Sequence, residues 1–328
     1  MSRRTRLLAA AAAASAALLA ACGLQPATGY VPAVDPGSIT PVDGAEDVAV
    51  TVGSKNFSEQ LILGKIAVLA LRAAGFQVTD STNIPGSVAS REGQLAGDVD
   101  MGWEYTGTAW VAYMGQTGIP DREQQWRAVH EADLENGLTW LPPAPMNNTY
   151  GFAMGPDAAA GLGIAALSQV ADLPVEERTF CVESEFRSRD DGLEPMLEHY
   201  GIPLGDPAGV PAENIKVMDT GAIYAATAAG ACNFGEIFTT DGRILALDLT
   251  VLDDDEQYFP SYNVAAVVRT DTLEEAPQIA EVFESITPLL TDELLIDLNA
   301  RVDVDGEEPA DVALDWMVAE GLVTAPGA

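Results

Sequence analysis

From Val48 onward the chain alternates short β-like runs with amphipathic helical stretches, in two sets separated by crossings. That order restricts it to an α/β architecture of two lobes with mostly parallel sheets. The first set begins with the strand Val48–Val52, the polar loop in SKNFSEQLILGK and a helix closed by Gly75. Asn56 and Glu59 have capping-box spacing, so the helix start and its positive dipole end face the exit of that strand, with Lys55 beside them. A carboxylate or phosphate suits such a position. The strand FQVTDS, a helix from Val88 closed by Gly97, the strand DVDMGWEY and a helix over 123–134 follow.

In TWLPPAPMNNTYGFAM, prolines and the Asn147-Asn148 pair mark a crossing. The second set runs through RTFCVE, a helix opened by Asp191 and Glu194 as a further capping box, NIKVM, a helix after Gly221, NFGEIF and LALDLTVL. FPSYNVAAVVR then reads as a strand returning to the first lobe, with C-terminal helices from Glu275. The expected lobes are 47–147 with 257–328, and 148–256. Two crossings make a hinge, and ligands bind at the carboxyl ends of strands in open α/β sheets, so the site belongs in the cleft.

Residues 1–22, MSRRTRLLAAAAAASAALLAAC, place three arginines before an apolar run that ends in small residues and Cys22. This is a secretory signal, too short to span a bilayer comfortably. Its end resembles the lipobox of bacterial lipoproteins, which implies cleavage after residue 21 and a lipid on Cys22. The protein is then held at the outer face of the cell membrane, and residues 22–46, rich in Pro, Gly, Ala and Asp, read as a flexible tether. In that oxidising compartment Cys181 and Cys232 are expected to form a disulfide. Formal charge is −34, and −34 − 3 = −37 once Arg3, Arg4 and Arg6 leave with the signal. Nucleic acid and anionic lipid headgroups are poor partners for so acidic a body.

SKNFSEQLILG, WEYTGTAW, NNTYGFAM, EFRSRDDGL, FTTDGRI and FPSYNVA occur in this order. They resemble the successive signatures of the substrate-binding proteins of glycine betaine/choline ABC transporters, over essentially the whole chain from Val48. The resemblance implies a two-lobe periplasmic-binding-protein fold (type II, Venus-flytrap), no catalysis and no cofactor. It also implies a monomer whose cleft closes on a small quaternary ammonium solute, glycine betaine, choline or carnitine, and presents it to a permease. A trimethylammonium head is charged but has no N–H, so aromatic faces suit it, each contributing roughly 0.5 to 2 kcal/mol.

By resemblance, the cage falls on Tyr105, Tyr150, Phe238 and Tyr262. Phe238 replaces the usual tyrosine, keeping the π-face and losing the hydroxyl. Taken singly, each ring also reads as packing, since a tyrosine at an element end buries its ring and wets its hydroxyl. Trp103 shares a strand face with Tyr105, whereas Trp110, Trp126, Trp140 and Trp316 read as core or helix-face packing. For the carboxylate of a betaine the resemblance points to Lys55, the helix end at Asn56, and Arg189 rather than Arg187, with Gln60, Thr108 and Asn148 as further hydrogen-bonding candidates. A desolvated Lys/Arg pair without an anion is unfavourable, which leans toward a carboxylated solute.

The rival class is a lipid-anchored hydrolase or a scaffold lipoprotein. His130 and His199, the only histidines, stand among charged or polar neighbours, and the sequence has no Gly-x-Ser-x-Gly elbow, HExxH run or paired-cysteine metal motif. The run Asp253-Asp254-Asp255-Glu256 reads as a solvated loop, not as a metal site.

Overall fold

The computed structural model describes residues 29–119 and 121–327. The signal segment and Cys22 lie outside the described residues. In chain order the strands are β1 (Asp35–Pro36), β2 (Ala49–Lys55), β3 (Gln77–Ile84), β4 (Met101–Tyr105), β5 (Leu138–Trp140), β6 (Tyr150–Met154), β7 (Phe180–Val182), β8 (Ile215–Val217), β9 (Phe234–Phe238), β10 (Thr250–Val251), β11 (Val264–Arg269) and β12 (Val323–Thr324). One five-stranded sheet has the order β3-β2-β4-β11-β5 and the other β10-β6-β9-β7-β8.

Both sheets are mixed, a correction to the expectation of mostly parallel sheets. β2 runs parallel to β3 and β4, while β11 is antiparallel to β4 and β5. In the second sheet β7 runs parallel to β8 and β9, and β6 is antiparallel to β9 and β10. The reason is the crossings: β6 and β11 enter each sheet from the other one, and they enter against the direction of the βαβ units already there.

β2 is buried along most of its length, as a strand covered on both faces must be. The helix Ser58–Ala73 follows it and is apolar almost all round. It needs no polar face, because one side lies on the sheet and the C-terminal helices Asp292–Asp303 and Pro309–Ala319 cover the other. Gly75 and Gly97 take positive φ just past their helices, which ends each one as its sequence position suggests.

Three local expectations fail. Neither capping box forms: the helix Ser58–Ala73 is preceded by Phe57 and Leu193–His199 by Gly192, with no side-chain cap at either. LALDLTVL is mostly not a strand; the helix Arg243–Ala246 ends within it, and only Thr250–Val251 pairs. The flexible tether does not extend to residue 46, because Asp35–Pro36 pairs with Val323–Thr324, Ser38 and Ile39 donate to the Gly321 and Leu322 carbonyls, and Ile39 is buried.

The two crossings lie side by side. Asn147 bridges to Asn263, the Tyr262 N–H donates to Asn147 Oδ1 at 2.7 Å, and Asn263 Nδ2 donates to the Met146 carbonyl at 2.5 Å. Cys181 on β7 and Cys232, just before β9, are joined by a disulfide with their Cα atoms 5.8 Å apart. No helix among the described residues is long and apolar enough to cross a membrane.

Candidate functional site

A cavity of about 870 Å³ opens between the sheets. Lys55, Phe57, Tyr105 and Thr108 line it from the first sheet and Glu183, Glu185, Glu236 and Phe238 from the second, with Asn148, Tyr150 and Tyr262 at the crossings.

The rings form a continuous band. Tyr150 and Phe238 are opposed residues on antiparallel β6 and β9, so their side chains share a face, with centroids 5.2 Å apart. Tyr262 meets Tyr150 edge-on at 5.6 Å. On the other side Phe57 stacks on Phe238 at 5.3 Å and reaches Tyr105 at 6.2 Å. The structure thus gathers Tyr105, Tyr150, Phe238 and Tyr262 at one cavity and adds Phe57, which sequence reasoning missed. Its signal was its place as the one aromatic in the loop between β2 and the following helix. Gly107 makes room for Tyr262, since a Cβ there would stand 2.6 Å from its ring.

Lys55 and Arg189 do not match the expected pair of cations waiting for an anion. Lys55 Nζ is 2.6 Å from Glu104 Oε1, both side chains being buried, and 5.0 Å from the Tyr105 ring centroid. Arg189 is absent from the cavity lining. Its Nε and Nη2 donate to Asp191 at 2.6 Å, its Nη1 donates to Glu185 at 3.3 Å, and the guanidinium lies 5.3 Å from the Tyr150 ring centroid. Asp191 also accepts the Tyr262 hydroxyl at 2.7 Å. A charge buried without a partner is costly, and the chain provides each cation with its own carboxylate. Arg189 therefore braces two of the rings.

Among the polar candidates, Thr108 and Asn148 reach the cavity, whereas Gln60 is fully buried away from it and accepts the Lys55 N–H at 3.3 Å. Asn56 lines the cavity, but its side chain accepts the Gly86 N–H and does not cap the helix. Trp103 belongs to the core, donating to the Leu63 carbonyl. The acidic run at 253–256 is mostly exposed, as a solvated loop is, with Asp254 accepting the N–H groups of Tyr258 and Phe259 and Asp255 accepting the Ser168 N–H. Among the described residues no His, Cys, Asp and Glu group is arranged to hold a metal ion.

Glu59 is a hub that the sequence does not announce. Its carboxylate accepts hydrogen bonds from the Tyr105 hydroxyl at 2.7 Å, Asn148 Nδ2 at 2.8 Å, the Thr240 hydroxyl at 2.5 Å and Asn299 Nδ2 at 3.2 Å. Those donors come from the first sheet, the crossing, the end of β9 and a C-terminal helix. Burial raises its pKa against the lowering effect of the four donors. Burial also pushes the Glu236 carboxyl up to about 8, opposed by the Glu183 N–H that it accepts.

Residues 48–319 match the model of the substrate-binding domain of ABC-type glycine betaine transport systems. A glycine-betaine-binding protein of Pseudomonas aeruginosa is 37% identical over 83% of this chain and 88% of its own. The glycine betaine-binding protein YehZ of Escherichia coli is 30% identical over 83% and 90%. The crystal structure of a glycine betaine/carnitine/choline ABC transporter, 24% identical, superimposes with a TM-score of 0.67 over 83% of this chain and 98% of that one, a likeness of fold. A two-lobe α/β receptor cleft and a match over most of its length come to one conclusion: the chain belongs to the family of substrate-binding domains of ABC-type glycine betaine transport systems.

Proposed function

We propose that this protein is the extracytoplasmic solute receptor of an ABC importer, tethered through a lipid on Cys22, acting as a monomer and performing no covalent chemistry. It captures a quaternary ammonium solute of the glycine betaine, choline and carnitine type and hands it to a permease. The lobes are 47–147 with 257–328, and 148–256. The observation that carries this reading is the band of rings from Tyr105 through Phe57, Phe238 and Tyr150 to Tyr262, contributed by both sheets and the crossings around one cavity. Each π-face attracts a methylated ammonium group that offers no hydrogen bond, and a ligand touching both lobes favours the closed state over the open one. Acidic walls at Glu183 and Glu185 suit a cation and leave little to hold a free anion.

Isothermal titration of the mature protein with glycine betaine, choline, carnitine and the neutral choline isostere 3,3-dimethylbutanol tests it. The three quaternary ammonium solutes bind and the isostere does not. Tyr105→Ala, Tyr150→Ala and Tyr262→Ala each weaken all three by roughly 0.5 to 2 kcal/mol plus lost burial. Arg189→Ala weakens them alike, because the arginine holds rings and not the solute. Equal binding of the isostere would refute the cage.

A further inference from the structure

The corner of the cavity best equipped to accept an anion is already occupied, by a side chain of the opposite lobe. The helix Ser87–Ala96 packs on β2 with its N-terminus at the cavity, and Ser87 is buried there. Glu185, carried by Ser184–Ser188 after β7, reaches across so that its Oε2 accepts the Ser87 N–H at 3.2 Å. Its Oε1 accepts Arg189 Nη1 at 3.3 Å. Burial opposes ionisation of Glu185, but the Ser87 hydroxyl and N–H and the charges of Lys55 and Arg189 outweigh it and hold the carboxyl below its usual range.

The cationic side chains that line the cavity are also committed: Lys55 to Glu104, and Arg243, at the far wall, to Asp241 with Asp303 beside it. Glu185 itself is the acceptor at this corner; Asn148, which also lines the cavity, donates to Glu59 and keeps its Oδ1 buried. A ligand whose far end is a carboxylate must displace Glu185 to use this corner; a ligand ending in a hydroxyl can donate to Glu185 there.

We propose that Glu185 sets the charge of the ligand, filling the anion-accepting corner so that the cleft takes a hydroxylated quaternary ammonium cation in preference to its carboxylated counterpart. This rests on the quaternary ammonium reading above. It departs from the lean toward a carboxylated solute, which depended on Lys55 and Arg189 lacking partners. Glu185 also joins the lobes across the cavity, so removing its charge loosens one contact between them while leaving the rings in place.

The test is titration of the mature protein, wild type, Glu185→Gln and Glu185→Ala, with choline and glycine betaine at one ionic strength. Thermal melts confirm that each variant is folded. The wild type binds choline at least tenfold more tightly than glycine betaine, and both variants shrink that ratio at least tenfold through a gain for glycine betaine. A wild type that prefers glycine betaine, or a ratio that neither variant moves, overturns the assignment to Glu185 while leaving the cage intact. A wild type that binds neither solute overturns the quaternary ammonium reading itself, and this inference with it.

Discussion

Replacing Glu236 by glutamine isolates what a buried carboxyl costs this cleft. Glu236 is 3% exposed, accepts one backbone N–H and has its pKa lifted by burial from 4.5 to about 8. A carboxyl whose folded pKa exceeds its unfolded value binds its proton more tightly in the native state. Its contribution to stability is then complete below about 4.5 and is lost as pH rises through about 8. The gap between those values, at about 1.4 kcal/mol per pH unit, comes to roughly 5 kcal/mol. Glutamine keeps the shape and the acceptor oxygen and does not titrate. Urea unfolding of wild type and Glu236→Gln at pH 4.5, 6, 7.5 and 9 gives two curves, and their difference cancels every other titrating group. The variant should gain on the wild type with rising pH, by several kcal/mol across the range, with the steepest change below pH 8. A difference independent of pH would mean that the Glu236 carboxyl titrates alike in the folded and unfolded states, and the raised pKa assigned to it would be wrong.

Two further outcomes follow from the same geometry. Glu59→Gln replaces an acceptor-only group by one that must also donate, so at least one of its four donors loses its partner and the others lose charge assistance; stability should fall by about 2 to 4 kcal/mol in urea unfolding, and an unchanged midpoint would refute the hub. Gly107→Ala places a Cβ against the Tyr262 ring and should weaken every quaternary ammonium ligand alike, by at least threefold in isothermal titration, with unaltered affinity refuting the close approach.

The alternation of runs was enough to read two lobes and two crossings, because period and punctuation are local properties. Gly75 and Gly97 end their helices where the sequence places them, for the same reason. Partners distant in sequence were not legible. Lys55 and Glu104 are 49 positions apart, and nothing in SKNF says that the lysine is already neutralised. Glu59 has the spacing of a capping residue, but its four donors come from positions 105, 148, 240 and 299, and that tertiary demand overrode the local motif. The bond between Arg189 and Asp191 was different: two residues apart in RSRDD, it was available to a local reading and was passed over in favour of a ligand. Phe57 went unread because one aromatic in a polar loop carries no period.

The docking of Asp35–Pro36 beside Val323–Thr324, with the Gly327 N–H donating to Asp35 Oδ2 at 3.1 Å, has a mechanical meaning. Both ends of the described chain are fastened to the body built on the first sheet. A load applied at either end is therefore carried by that body and does not run across the cleft. The second sheet and its helices are joined to that body through the chain only at the two neighbouring crossings, and elsewhere by side-chain contacts such as Ser87 with Glu185, Thr240 with Glu59 and Arg243 with Asp303. A pull at residue 29 therefore does not have to pass through the crossings.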